Sequence, residues 1–138
     1  MGRILQKVML SNAADLAKLR DGTLSAEQVR QTEVQMLVDT GAAMLCLPPE
    51  FIAILGIRET GRKRAVTANG QVDRGVYEPV RIEVLDRDAI LEVMELPSGT
   101  PPLLGYLPLE ALDLYPNPQR QILEGNPQYD GKMVVDLL

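Results

Sequence analysis

The chain reads as one all-β domain, mainly β with short helices, on three observations. Apolar residues alternate in short runs, as in Val34, Met36 and Val38 and again in Val80-Arg81-Ile82-Glu83-Val84, a period that turns one face of a strand inward. Asn69-Gly70 lies between two such runs and is a strong hairpin signal. The helical stretches are brief and are punctuated by glycine or proline. With 138 residues and 46% hydrophobic content the chain can bury one core. One Phe, four Tyr and no Trp leave Leu, Val, Ile and Met to fill it.

In order along the chain, Ile4, Val8 and Leu10 pattern residues 3–10 as a first strand. Ser11 or Asn12 then caps a short helix through Leu16 and Leu19, stopped near Gly22. Residues 23–30 are polar, with a turn or single helical turn at Ser25-Ala26-Glu27-Gln28. Strand 31–38 follows, then a loop at Asp39 and a strand over 43–47. Pro48-Pro49 opens a helix that Gly56 stops, with Phe51, Ile52, Ile54 and Leu55 facing the core. The basic stretch 58–64 reads as a solvated loop. Strands on either side of Asn69-Gly70 make a hairpin, and strand 80–84 turns at Asp86-Arg87-Asp88 into strand 89–96. Residues 107–112 form a short helix, Tyr115-Pro116-Asn117-Pro118 a stiff turn, and residues 120–123 a strand; residues 132–138 are a closing strand that pairs either within the subunit, with the first strand, or across to a second subunit. No linker divides the chain.

The absences narrow the chemistry. There is no histidine, hence no Ser-His or Cys-His pair and no histidine metal site. Cys46 is the one cysteine, so no intrachain disulfide can form; a reducing, cytoplasmic setting is expected. Within Met44-Leu45-Cys46-Leu47 it reads as a small buried hydrophobe. The glycines form no phosphate-binding loop. Asp86 and Asp88 flank Arg87, whose charge opposes a cation there, so no metal and no cofactor is expected. A net charge of -5 argues against a nucleic-acid surface. No apolar run reaches membrane-spanning length, and residues 1–10 are too short and interrupted for a secretory signal. Carboxylate chemistry remains.

The stretch that stands out is Met36-Leu37-Val38-Asp39-Thr40-Gly41-Ala42, a strand delivering an Asp-Thr-Gly triplet to a loop. A lone carboxylate at such a junction needs partners, because an unpaired buried charge is costly. Its plainest role is to cap the turn with its own side chain. A second apolar element, Pro101-Pro102-Leu103-Leu104-Gly105, lies further on.

Together these two elements resemble the retropepsin-like aspartic proteases. In that family an apolar-apolar-Gly strand passes through the loop that carries the catalytic Asp. The resemblance implies a closed β-barrel or sandwich of one lobe, a homodimer, and hydrolysis of polypeptides by a water held between paired carboxylates. It implies Asp39 as the catalytic residue, Thr40, Gly41 and Ala42 as support of its loop, and Leu103, Leu104 and Gly105 as the second element. Ala68, Asn69, Gly70 and Gln71 would form the flap over an extended peptide. It covers residues 31–114 best, with 1–30 an N-terminal elaboration and 115–138 C-terminal strands of the same domain. Retroviral members usually carry an Asp after Asp-Thr-Gly-Ala, where this chain has Ala43, and Arg-Asn after the second element, where it has Tyr106-Leu107. A cellular, bacterial-type member is therefore the better match. Two Asp side chains about 3 Å apart share one proton and supply both acid and base. One triplet per chain means the second carboxylate comes from a twofold-related copy. The competing expectation is a dimeric peptide-binding module of the same fold that does not cleave.

Overall fold

The computed structural model describes residues 3–137. Strand β1 (Leu5–Asn12) pairs antiparallel with β2 (Gln31–Val38) on one side and with β5 (Gly70–Val84) on the other. From β2 the sheet continues through β7 (Leu103–Leu104), β3 (Leu45–Leu47) and β6 (Arg87–Glu95) back to β5. Because β1 borders both β2 and β5, the sheet closes on itself as a barrel, which removes those edges. The mostly β, closed architecture is the one expected. Residues 1–30 were expected to elaborate a core; within them lies the strand that completes the ring.

The barrel is filled by aliphatic side chains, with Leu10, Met36, Leu45, Leu47, Ile82, Leu104 and Leu112 fully buried. Strand β5 serves three partners, β1, β6 and β4 (Glu59–Thr67), because it is long and bends. Its register with β6 shifts between Tyr77 and Val80, at Pro79, which has no N–H to give a ladder. Beyond the bend, β5 leaves the barrel and pairs with β4 as a projecting hairpin.

Helix α1 (Ala13–Asp21) starts at Asn12, whose side-chain oxygen accepts the Asp15 N–H at 3.0 Å while its amide donates to the Leu55 carbonyl at 2.9 Å. Asp15 is buried and takes the Arg30 backbone N–H at 3.0 Å and the Arg30 guanidinium at 2.8 and 2.9 Å. This fastens α1 to the start of β2. Helix α2 (Pro49–Leu55) has proline in its first turn and ends at Gly56, with φ 63°. Ile52 and Leu55 are buried, but Ile54 is exposed, because a seven-residue helix turns only one face to the barrel. Helix α3 is Tyr106–Leu112. No described helix is long and apolar enough to cross a membrane.

Several local expectations are corrected. Residues 58–64 are mostly strand rather than loop; β4 is solvated on both faces, so charge replaces the apolar alternation that marks a strand. In the hairpin turn Thr67 opposes Gly70, so Ala68-Asn69 are the central residues. Only Gly70 has positive φ, at 111°, which excludes the mirror-image turn in which both central residues need it. The next turn is Leu85-Asp86, not 86–88: Arg87 pairs across from Val84, and its buried guanidinium donates to the Leu112 and Asp113 carbonyls at 3.0 and 2.8 Å. Residues 115–117 belong to strand β8 (Leu114–Asn117), paired with β9 (Ile122–Gly125) in a two-stranded ribbon. Pro116 is tolerated there because such a strand has an unpaired edge. Within the single chain residues 132–137 form no strand, which corrects the expectation of pairing inside the subunit. Their backbone meets the Asp113 carboxylate, which accepts the Val134 N–H at 3.0 Å, and apolar composition without a row of partner amides cannot make a ladder. Leu138 lies outside the described residues.

Candidate active site

Strands β2 and β3 enter and leave the Asp39 loop, and β7 lies between them. It runs parallel to β2, with Leu37 opposite Leu103 and Val38 opposite Leu104, and antiparallel to β3, with Leu45 opposite Leu104. The loop is held from both sides. The Asp39 N–H donates to the Leu104 carbonyl at 3.0 Å, and Gly105 N–H donates to the Met44 carbonyl at 3.1 Å. The first N–H groups of a helix have no partner within it. In α3 those of Tyr106 and Leu107 donate to the carbonyls of Ala42 and Ala43, each at 2.9 Å. The helix start thereby seals the far side of the loop.

Within the loop the Asp39 carboxylate accepts the Gly41 N–H at 2.9 Å, and the Asp39 carbonyl accepts the Ala42 N–H at 3.1 Å. The side chain thus orders its own turn and remains half-exposed at the surface of a cleft. That cleft has a volume of about 810 Å³ and runs between the Asp39 loop and the β4–β5 hairpin. Asp39, Gly41, Ala42 and Leu103 line it. Leu104 is buried beneath, and Thr40 is exposed and lines a neighbouring hollow of about 450 Å³ with Tyr106, Tyr115 and Val134.

Two further groups shape the cleft chemically. Glu95 lines it and accepts the Tyr77 hydroxyl at 2.9 Å. Burial, with the Glu95 hydrogen bond and charge, pushes the Tyr77 phenol up, so it stays a donor. Cys46 lies in the wall, 5% exposed. Burial, followed by the negative charge of Asp39, pushes its thiol up to about 11, away from nucleophilic use. No cluster of metal-ligating side chains occurs among the described residues.

The structure therefore brings Asp39, Gly41 and Ala42 together with Leu103, Leu104 and Gly105. Ala68, Asn69, Gly70 and Gln71 make the hairpin tip and stand beyond the cleft lining, which on that side is residues 63–67 with Arg74. Sequence reasoning passed over Lys63 because the solvated basic stretch 58–64 explains itself, and over Arg74 because it stands singly between Asp73 and Gly75. Their hairpin position was the available signal.

A model of the gag-polyprotein putative aspartyl protease family matches residues 26–110. Among solved structures, the EIAV protease in complex with the inhibitor HBY-793 superposes with a TM-score of 0.54 at 17% identity. That match covers 79% of this chain and 86% of the other. No curated protein sequence matches.

Proposed function

The chain belongs to the gag-polyprotein putative aspartyl protease family, and from that premise we propose that it is an aspartic endopeptidase, active as a homodimer through Asp39 of each copy. The observation that carries this reading is the fixation of the Asp39 loop by Leu104, Gly105 and the start of α3 at the edge of a large cleft. A capping turn alone would not need a second chain segment threaded through it. Each copy contributes one such aspartate, and the exposed flank of the loop (Thr40, Tyr106, Leu107) is the side on which a twofold-related copy completes the site.

In the dimer the two Asp39 carboxyls share one proton, because like charges so close cannot both ionise. The ionised member takes a proton from water, whose oxygen attacks the peptide carbonyl carbon. The protonated member gives its proton to the carbonyl oxygen, forming a tetrahedral diol. The first member then gives the proton it took from water to the nitrogen while the second takes one hydroxyl proton back from the diol; the C–N bond breaks, acid and amine leave, and the dyad again holds one proton. Thr40 braces the two loops, Gly41 and Ala42 admit the substrate backbone, and the hairpin ending in Ala68, Asn69, Gly70 and Gln71 closes over an extended peptide.

Cleavage of a mixed peptide library from about pH 3 to 7, with Asp39→Asn beside the wild type, tests this. A bell-shaped profile on the acid side, absent in the variant, is expected, since a dyad titrates with two apparent values. Specific activity should also rise with protein concentration as dimers form. A dimer that binds peptides without cutting them at any pH would replace the enzyme by the non-cleaving module.

A further inference from the structure

The hairpin over the cleft carries an arrangement that stability disfavours. Lys63 on β4 and Arg74 on β5 are directly opposite each other in the ladder, and like charges in that position repel. Both line the Asp39 cleft. The other cations of the hairpin are neutralised locally: Arg62 meets Glu59 at 3.1 Å, and Arg64 meets Asp73 at 3.7 Å. Among the described residues, no carboxylate lies within the 4.0 Å ion-pairing distance of Lys63 or Arg74. The same cleft also holds the carboxylates of Asp39 and Glu95, and Glu92 shares a small hollow with Lys63. Glu95 is already engaged by Tyr77. In a chain of net charge -5, two unpaired cations therefore face the place where a peptide would lie.

We propose that Lys63 and Arg74 are specificity-determining residues that select peptides with acidic side chains flanking the scissile bond. This rests on the endopeptidase reading above. An extended peptide between the hairpin and the Asp39 loop presents alternate side chains to the hairpin. A carboxylate there would relieve the repulsion between the facing cations and gain charge-assisted hydrogen bonds from both. Twofold symmetry repeats the pair on the other side of the dyad, so both flanks of the bond are selected. The protein's own negative charge repels acidic chains at long range, which leaves the selection to this short-range pair.

Two matched pools of random decapeptides test the proposal, one with Glu and one with Gln at alternate positions, at pH 6 where Glu is ionised. Wild type should cleave the Glu pool about tenfold faster, the size of one charge-assisted contact. That ratio should fall to about one in Lys63→Gln/Arg74→Gln and shrink when salt is raised from about 0.05 to 0.5 M. Lys63→Met and Arg74→Met, each removing one of two facing like charges, should melt no lower than wild type. Equal cleavage of the two pools by wild type would overturn the selection while leaving the protease intact. If wild type cleaves neither pool, the affinity of the same protein for the two pools decides, and the protease reading fails as well if the mixed library stays uncut at every pH from about 3 to 7. A tenfold preference for Glu then upholds the acidic selection in a binding protein, and equal affinity ends it.

Discussion

Gly105 lies against Ala42 so closely that a β-carbon on it would stand 2.6 Å from the Ala42 carbonyl oxygen, and equally 2.6 Å from that of Met44. Its φ of -84° is open to any residue, so the requirement is one of space rather than conformation. Both obstacles are backbone atoms of the Asp39 loop, and neither can swing aside as a side chain could. Gly105→Ala should therefore push the loop off β7 and the start of α3. We expect a loss of about 2 kcal/mol, in the range of overpacked cores, read from the urea midpoint, together with loss of any Asp39-dependent cleavage. An unshifted midpoint would mean that the loop yields freely.

Asp39→Asn should separate fold from chemistry. The carboxylate oxygen that accepts the Gly41 N–H has a counterpart in the amide oxygen of Asn. The turn should persist, with stability within about 0.5 kcal/mol of wild type, while the shared-proton chemistry disappears. Thermal melts and the library assay on the same preparations check both halves. A large stability loss would show that the charge itself holds the loop.

Asp15 and Arg30 predict how the fold responds to acid. The Arg30 hydrogen bonds hold the Asp15 carboxyl below the usual carboxylate range, against the opposing effect of burial. With the folded value depressed, the stabilisation is full above the unfolded value of about 3.9 and is lost as pH falls through the folded value. Asp15→Asn should cost about 2 kcal/mol near neutrality, discounted because half of the Arg30 side chain is in water. The gap between variant and wild-type urea midpoints should narrow below about pH 4. A gap that stays constant to pH 2 would contradict the ion pair's part in it.

Cys46 should be nearly inert. A thiol pushed up to about 11 holds very little thiolate at pH 8. Burial adds to this, so alkylation by iodoacetamide should run at least about a hundredfold slower than for a free cysteine. Denaturant should restore the ordinary rate. Rapid labelling of the native protein would show that the cleft wall opens.

Much of the fold was legible because local rules act over a few residues. The bounds of β2 follow from the alternation of Val34, Met36 and Val38. The stops of α1 and α2 follow from Gly22 and Gly56, both left-handed in the structure. Asn12 was one of two candidate caps, and its bond to the Asp15 N–H settles the choice. The misplaced elements share a cause. Residues 58–64 and 115–117 carry charge or proline where a strand usually shows alternation. Residues 132–137 carry the composition of a strand with no partner strand among the described residues. At Arg87 a turn residue was expected, but distant carbonyls of Leu112 and Asp113 claim its side chain.

By itself the sequence determined the aliphatic core, the mainly β class, and the two short elements, around Asp39 and around Gly105, that point to one family. It did so because periodicity, turn residues and the absence of histidine are properties of neighbours and of counts. Only the tertiary structure decided that β1 closes the barrel, that β7 threads the Asp39 loop, and that Lys63 and Arg74 face each other over the cleft. Those relations join residues far apart in the chain or across a hairpin, and their energies come from packing and pairing in space.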